Sequence, residues 1–113
     1  MPLTFPKSER ISSPLEVALL AKTGKWEVAS VLKACYKPVE EGTGRMAVAV
    51  PKKLFKRAVK RNLLKRRIRE AYRHLKGENP SVDMLLIYTS NEIASYSVIF
   101  ENVETLIQKI GKR

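Results

Sequence analysis

Cysteine is almost absent from this chain. Cys35 is the only one in 113 residues, so an intramolecular disulfide and a cysteine-based metal cluster are both excluded. A lone small thiol of this kind is expected to be buried and inert. Histidine is as scarce: His74 stands alone, and a two-histidine acid–base mechanism cannot be assembled. Carboxylates are few, 11 in all, and Asp83 is the only aspartate. The glutamates are scattered, and no pair has a spacing inside one element that suggests a Mg²⁺ site or an acid–base couple. Glu101 and Glu104 read as an ordinary exposed helix face, and Glu40 and Glu41 fall in a turn. There is no glycine-rich phosphate loop and no nucleophile motif. The longest apolar run, "VALLA" at 17–21, is far too short to span a bilayer, and "MPLTFPKSER" lacks the apolar core of a signal peptide. The expectations are a cytoplasmic chain with no catalytic residues and no metal site of its own: a binder and not a catalyst.

What is present is positive charge. Lys and Arg number 22, for a net charge of +11 and a pI near 10.0. Such a balance favours a polyanionic partner, either nucleic acid or an acidic membrane surface. At 44% hydrophobic the chain has apolar material for one core, so residues 1–113 are expected to form a single domain.

Local signals suggest the order of elements. In "SSPLEVALLAKTG", Ser13 is a natural N-cap, Pro14 suits the first helical position, Glu16 completes a capping box and Gly24 supplies the stop. "KWEVASVLKACYKPV" (25–39) is rich in β-branched and aromatic residues and reads as one strand, or two joined at a bend. "EEGTG" (40–44) is a turn, and "RMAVAVPKK" (45–53) follows as a nearly all-apolar strand expected to be buried on both faces. A basic helix runs from about Arg57 to Leu75, "KGENPS" (76–81) breaks it, and "VDMLLIYT" (82–89) is a second buried strand. Ser95 caps a last helix with an apolar stripe of Ile99, Val103, Leu106, Ile107 and Ile110, closed by Gly111. The result is an α+β sandwich, helices laid on a small sheet.

The basic helix separates into two faces. The segment "PKKLFKRAVKRNLLKRRIREAYRHLK" (51–76) holds 12 of the 22 cations and a single acid, Glu70. At about 100° per residue, Leu64, Ile68, Ala71, Tyr72 and Leu75 fall on one side. Asn62, Lys65, Arg66, Arg69 and Arg73 fall on the other. Solvated helix faces usually interleave both signs, and this one does not. A membrane-surface role is disfavoured because the apolar side lacks exposed Trp or Phe and is needed for the core. Arginine grips phosphate bidentately and stacks on bases, which suits structured RNA as well as a DNA backbone.

The string "AVAVPKKLFKRAVKRNLLKRRIREAYR" (47–73) resembles the signature of the bacterial ribonuclease P protein subunit: a strand, a "KK" turn, then Ala58-Val59, Arg61-Asn62, Lys65-Arg66 and Ile68-Arg69-Glu70 in register on a helix. Order, length and charge agree from "ERI" (9–11) to the final helix. The resemblance implies an α-β-β-β-α-β-α sandwich with a small central sheet and a left-handed βαβ crossover, the fold shared with the second domain of a small-subunit ribosomal protein. Such a hand runs against the usual right-handed rule. It also implies a role: a large RNA performs the Mg²⁺-dependent removal of the 5′ leader of precursor tRNA, while the protein binds that RNA and contacts the leader. Lys52, Lys53, Arg61, Asn62, Lys65, Arg66 and Arg69 carry over as the RNA-facing set, and the neighbouring Arg57, Arg67 and Arg73 complete the candidates.

The chain departs from the family's pattern at several positions. Leu63 stands at the third place of the usual "RNR", with Arg67 one turn later where an aliphatic is usual. Phe55 stands where Gly is common, Pro51 where Ser is common, and Thr89 where a strand-end Arg is common. The family's leader cleft lies between the first helix and the sheet, lined by two phenylalanines whose places are Val17 and Ala21 here. Tyr36, Phe5 and Trp26 are the aromatics that could replace them. The alternative reading from the residues alone is a non-catalytic RNA-binding protein such as a ribosomal protein or RNA chaperone. A helix-turn-helix DNA binder is disfavoured because a strand and "PKK" precede the basic helix where a second helix would be needed.

Overall fold

Gly24 ends the first helix where the chain must pass closest to the sheet. A Cβ there would lie 2.6 Å from the Cys35 sulfur and 2.8 and 2.9 Å from the carbonyl oxygens of Leu20 and Tyr36. Only glycine fits such an approach. Its N–H donates to Leu20 O at 2.7 Å, closing the last turn of the helix. The computed structural model describes residues 14–38, 45–75 and 82–111. Within these the elements are α1 (Pro14–Thr23), β1 (Lys25–Val28), β2 (Leu32–Pro38), β3 (Met46–Ala49), α2 (Ala58–Leu75), β4 (Val82–Tyr88) and α3 (Tyr96–Gly111). The expected Ser13 cap, the 40–44 turn and the 76–81 break lie outside the described residues.

The four strands form a mixed sheet in the order β1-β2-β4-β3. β1 and β2 are an antiparallel hairpin, tied at its turn by Ala29 N–H to Leu32 O at 2.8 Å, so of the two readings of this segment the described residues 25–38 form two strands. β4 runs antiparallel to β2 and parallel to β3. α2 connects the parallel pair.

Helices cover both faces of the sheet. On β2, Leu32, Ala34 and Tyr36 point into the larger core beneath α2 and α3, together with Met84, Leu86 and Tyr88 of β4. The alternate residues Cys35 and Leu85 point to the opposite face, where Leu20 of α1 covers them with Val17 and Ala21 alongside. Cys35 is fully buried, as expected, and its thiol donates to Leu20 O at 3.1 Å. Burial pushes this thiol above its ordinary pKa.

Two strand expectations need correction. β3 spans only Met46–Ala49, because Pro51 carries no ladder N–H and its carbonyl starts a turn, accepting from Leu54 N–H at 3.1 Å. β3 is also an edge strand, so Met46 is buried but Ala47, Val48 and Ala49 are only half-buried; β4, in the interior of the sheet, has the two-sided burial. The helical stripes match expectation residue for residue: Leu64, Ile68, Ala71, Tyr72 and Leu75 on α2, and Ile99, Val103, Leu106, Ile107 and Ile110 on α3, are all buried.

Asn102 is the one buried polar side chain recorded among the described residues. Its amide oxygen accepts from Val31 N–H at 2.8 Å and its NH₂ donates to Val98 O at 2.9 Å, pinning the β1–β2 turn to α3. Gly24→Ala should destabilise the protein by about 1–3 kcal/mol, because two of the three close neighbours are main-chain carbonyls that cannot swing aside. Urea unfolding of the two proteins side by side measures this, and an unchanged midpoint would contradict the close approach.

Candidate nucleic-acid interface

The direction of the cationic face follows from how α2 is seated. Its buried stripe packs on β3 and α3, which leaves the opposite arc turned away from the protein. Asn62, Arg66 and Arg69 on that arc are exposed, and Lys65 is half-buried at its edge. Arg66, Arg69 and Arg73 line one shallow depression with Glu70. Glu70 forms an ion pair with Arg73, one turn away, and a hydrogen bond with His74 at 3.1 Å. The one acid of the segment therefore orients its neighbours and leaves Arg66 and Arg69 as the outermost guanidinium groups.

The loop before α2 extends this surface. Lys52, Lys53, Lys56 and Arg57 are exposed, while Phe55 is buried and its ring lies 6.0 Å from that of Tyr88. Phe55, standing where the family commonly has Gly, anchors the loop in the core. Arg61 then fastens the loop to the helix, donating to both Phe55 O and Lys56 O at 2.8 Å. Arg67 reaches the other way and donates to Ala94 O, ahead of α3, at 2.6 Å. Arg67 borders the buried stripe on the helix wheel and Arg61 falls within its arc at the first turn, which brings their guanidinium groups against neighbouring main chain. They stand with half-buried Lys65 at the margins of the cationic surface, whereas Lys52, Lys53, Arg57, Asn62, Arg66 and Arg69 make up its open part.

The candidate leader cleft requires a correction. Tyr36 was expected to line it beside Val17 and Ala21, but Tyr36 is 2% exposed in the core beneath α2 and α3, on the far side of the sheet from α1. Strand alternation is the reason: Cys35, its neighbour, is the β2 residue that faces α1. Val17 and Ala21 do border α1's contact with the sheet. Thr89, at the end of β4, is exposed.

A charged network missed by the sequence reading holds α1 in place. Arg45 donates to Asp83 through Nη2 at 2.9 Å and Nε at 3.3 Å, and to Glu16 Oε2 of α1 at 3.0 Å. The hydrogen bond to Asp83 is the main influence raising the Arg45 pKa still further. No signal in the sequence pairs these three, since they come from three separate elements. Among the described residues no group of three His, Cys, Asp or Glu side chains could hold a metal ion. Among the same residues no helix is long and apolar enough to cross a membrane.

The family model for Ribonuclease P matches residues 5–111. The chain belongs to that family. A ribonuclease P protein component from Nitrosomonas eutropha is 31% identical over 113 residues, covering 97% of this chain and 93% of its own length. The component from Aromatoleum aromaticum is 37% identical over 75 residues, covering 66% of this chain. That match takes in 63% of the Aromatoleum protein, less than two thirds of its length. Among solved structures, the RNase P protein of Staphylococcus aureus superposes with a TM-score of 0.80 at 26% identity, covering 94% of this chain and 97% of that one. The Thermotoga maritima RNase P protein gives the same TM-score of 0.80 at 24% identity, a likeness of fold. The mixed four-stranded sheet and three helices described above are the fold of these ribonuclease P proteins.

Arg66→Ala or Arg69→Ala should weaken RNA binding with little change in melting temperature, because both side chains are exposed. Leu64→Ala or Ile68→Ala should instead cost roughly 2–4 kcal/mol of stability through lost burial and a cavity. Arg67→Leu should lower stability by about 1 kcal/mol, since Ala94 O loses its donor. Thermal melts and gel-shift titrations on the same variants separate the three classes. Early melting of the Arg66 or Arg69 variants would overturn the assignment of faces.

Proposed function

We propose that this protein is the accessory subunit of the bacterial endoribonuclease P. In this reading it binds ribonuclease P RNA through the open cations of α2 and the 52–57 loop. It also contacts the single-stranded 5′ leader of precursor tRNA from the α1 side of the sheet. The RNA, with Mg²⁺ held mainly by the RNA itself, carries out the hydrolysis that frees the mature tRNA 5′ end. The observation that supports this most is the separation of α2 into a buried stripe and an outward cationic arc, with the family's motif residues Asn62, Arg66 and Arg69 on the outward side and Lys65 at its margin.

The protein's contribution is binding and orientation. Phosphates of a folded RNA meet guanidinium groups already placed by the seated helix, and an amide at Asn62 is available to a base edge or a 2′-OH. A net charge of +11 lowers the repulsion between two polyanions, catalytic RNA and precursor, brought to one place. The place of work is the bacterial cytoplasm, and neither DNA nor a membrane surface is a partner.

The test is reconstitution. The chain should restore precursor-tRNA cleavage by a ribonuclease P RNA at low Mg²⁺, and it should cleave nothing alone. Binding without any effect on cleavage would instead favour the ribosomal-protein or RNA-chaperone reading. If about six cations contact phosphate, log affinity should fall against log salt with a slope near −4 to −5, at about 0.7–0.9 per contact. A slope near zero would rule out a phosphate-dominated interface.

A further inference from the structure

The only acid of the 51–76 segment stands among its arginines. Glu70 has Arg66 one turn before it, Arg73 and His74 one turn after it, and Arg69 beside it in sequence. Arg66, Arg69, Glu70 and Arg73 line one depression of about 160 Å³. A carboxylate placed there repels the phosphates that its neighbours attract. Both Arg66 and Arg73 are within helical reach of Glu70, and it is Arg73 that pairs with Oε2. Oε1 lies 3.1 Å from His74 Nε2, so both oxygens are turned towards the last turn of α2. None of the ion pairs found among the described residues involves Arg66 or Arg69. The Arg73 side chain is only 23% exposed, whereas Arg66 and Arg69 are open to solvent, so the pair forms the inner part of the depression.

We infer that Glu70 is a positioning residue for RNA binding, whose carboxylate holds the Arg73 guanidinium as the inner wall of a site for one backbone phosphate of ribonuclease P RNA. Arg66 and Arg69 form its outer rim. The inference rests on the RNA-binding role proposed above and adds to it a site and the residue that shapes it. A long cationic side chain loses rotamer freedom when it closes on a phosphate, and that loss is subtracted from the affinity. An arginine already held by a carboxylate has lost the freedom before the RNA arrives. It keeps its charge while paired, because a guanidinium is not deprotonated in proteins. His74 acts to the same end, since its hydrogen bond occupies Oε1 and leaves Oε2 directed at Arg73. The rival role for Glu70 is a plain helix-stabilising pair, which would support α2 and oppose the RNA.

The two roles differ in sign. Glu70→Gln removes a negative charge beside the RNA, so a plain helix pair would give tighter binding. A positioning residue gives weaker binding, by about threefold to tenfold. The experiment measures the affinity of the full chain for ribonuclease P RNA at fixed salt, with a thermal melt of each variant alongside. In an Arg73→Ala background only the repulsion remains, and there Glu70→Gln should tighten binding. The melting temperature should change little with Glu70→Gln, because the pair is partly exposed. Unchanged or tighter binding by Glu70→Gln in the otherwise unaltered protein would overturn the inference. So would a change of the same sign in both backgrounds, which a merely structural pair would give. Should Arg73→Ala fail to fold, Arg73→Gln serves as the second background, and the sign of Glu70→Gln alone still decides. Failure of the unaltered protein to bind the RNA would count against the proposed function itself, a result distinct from normal binding with the opposite sign.

Discussion

The seating of α2 is the constraint on which the rest depends. Five side chains, Leu64, Ile68, Ala71, Tyr72 and Leu75, are buried at 4% exposure or less against the sheet and α3. That burial fixes the rotation of the helix about its axis. Once the rotation is fixed, the periodicity of an α-helix directs Asn62, Arg66 and Arg69 outwards from one arc. A cationic helix without such an anchor would present its charges in many orientations, and the entropy of ordering them would fall on the binding step. Apolar packing on one side thus preorganises electrostatics on the other.

Concentrated positive charge works against folding through self-repulsion. The structure reduces this by using some of its cations internally. Arg45 is shared between Asp83 and Glu16, Arg73 is paired with Glu70, and Arg61 and Arg67 are turned onto main-chain carbonyls. Arg45, Arg61 and Arg67 also join separate parts of the fold: α1 to β4, the 52–57 loop to α2, and α2 to the segment before α3. Cations that hold the scaffold are therefore distinct from those left open to a partner. The mismatch between the two groups is visible only from their positions, since all are the same two residue types in one sequence.

The two faces of the sheet differ in the same way. Beneath α2 and α3 the core is thick, closed and built from large side chains. Beneath α1 it is a thin layer of Leu20, Cys35 and Leu85, closed at one end by the Arg45 network and left open towards Trp26. Gly24 makes this layer possible by letting the chain pass within contact of Cys35. Among the described residues a single short helix lies on this face, and Trp26 and Val28 of β1 are left exposed beside it.

The buried stripes of α2 and α3, the Gly24 stop and the division of α2 into two faces were legible in the sequence. Each follows from helical periodicity or local backbone chemistry, which act within a few residues. The family's motif, fixed in register over residues 47–73, was legible for the same reason, and the hand of the crossover was suggested only through that resemblance. Other features were decided by tertiary structure. Tyr36 and Cys35 are adjacent and both apolar enough to be buried, and only the placement of α1 determines which of them faces the α1 side. β3 reads as a fully buried strand, but its place at the sheet edge leaves it half-covered. The sequence places Arg61 and Arg67 among the candidate cations, and only the fold shows that each also donates to main chain, at Phe55, Lys56 and Ala94. Periodicity assigns a side chain to a face; what that face meets is set by contacts between distant segments, and no local pattern encodes them.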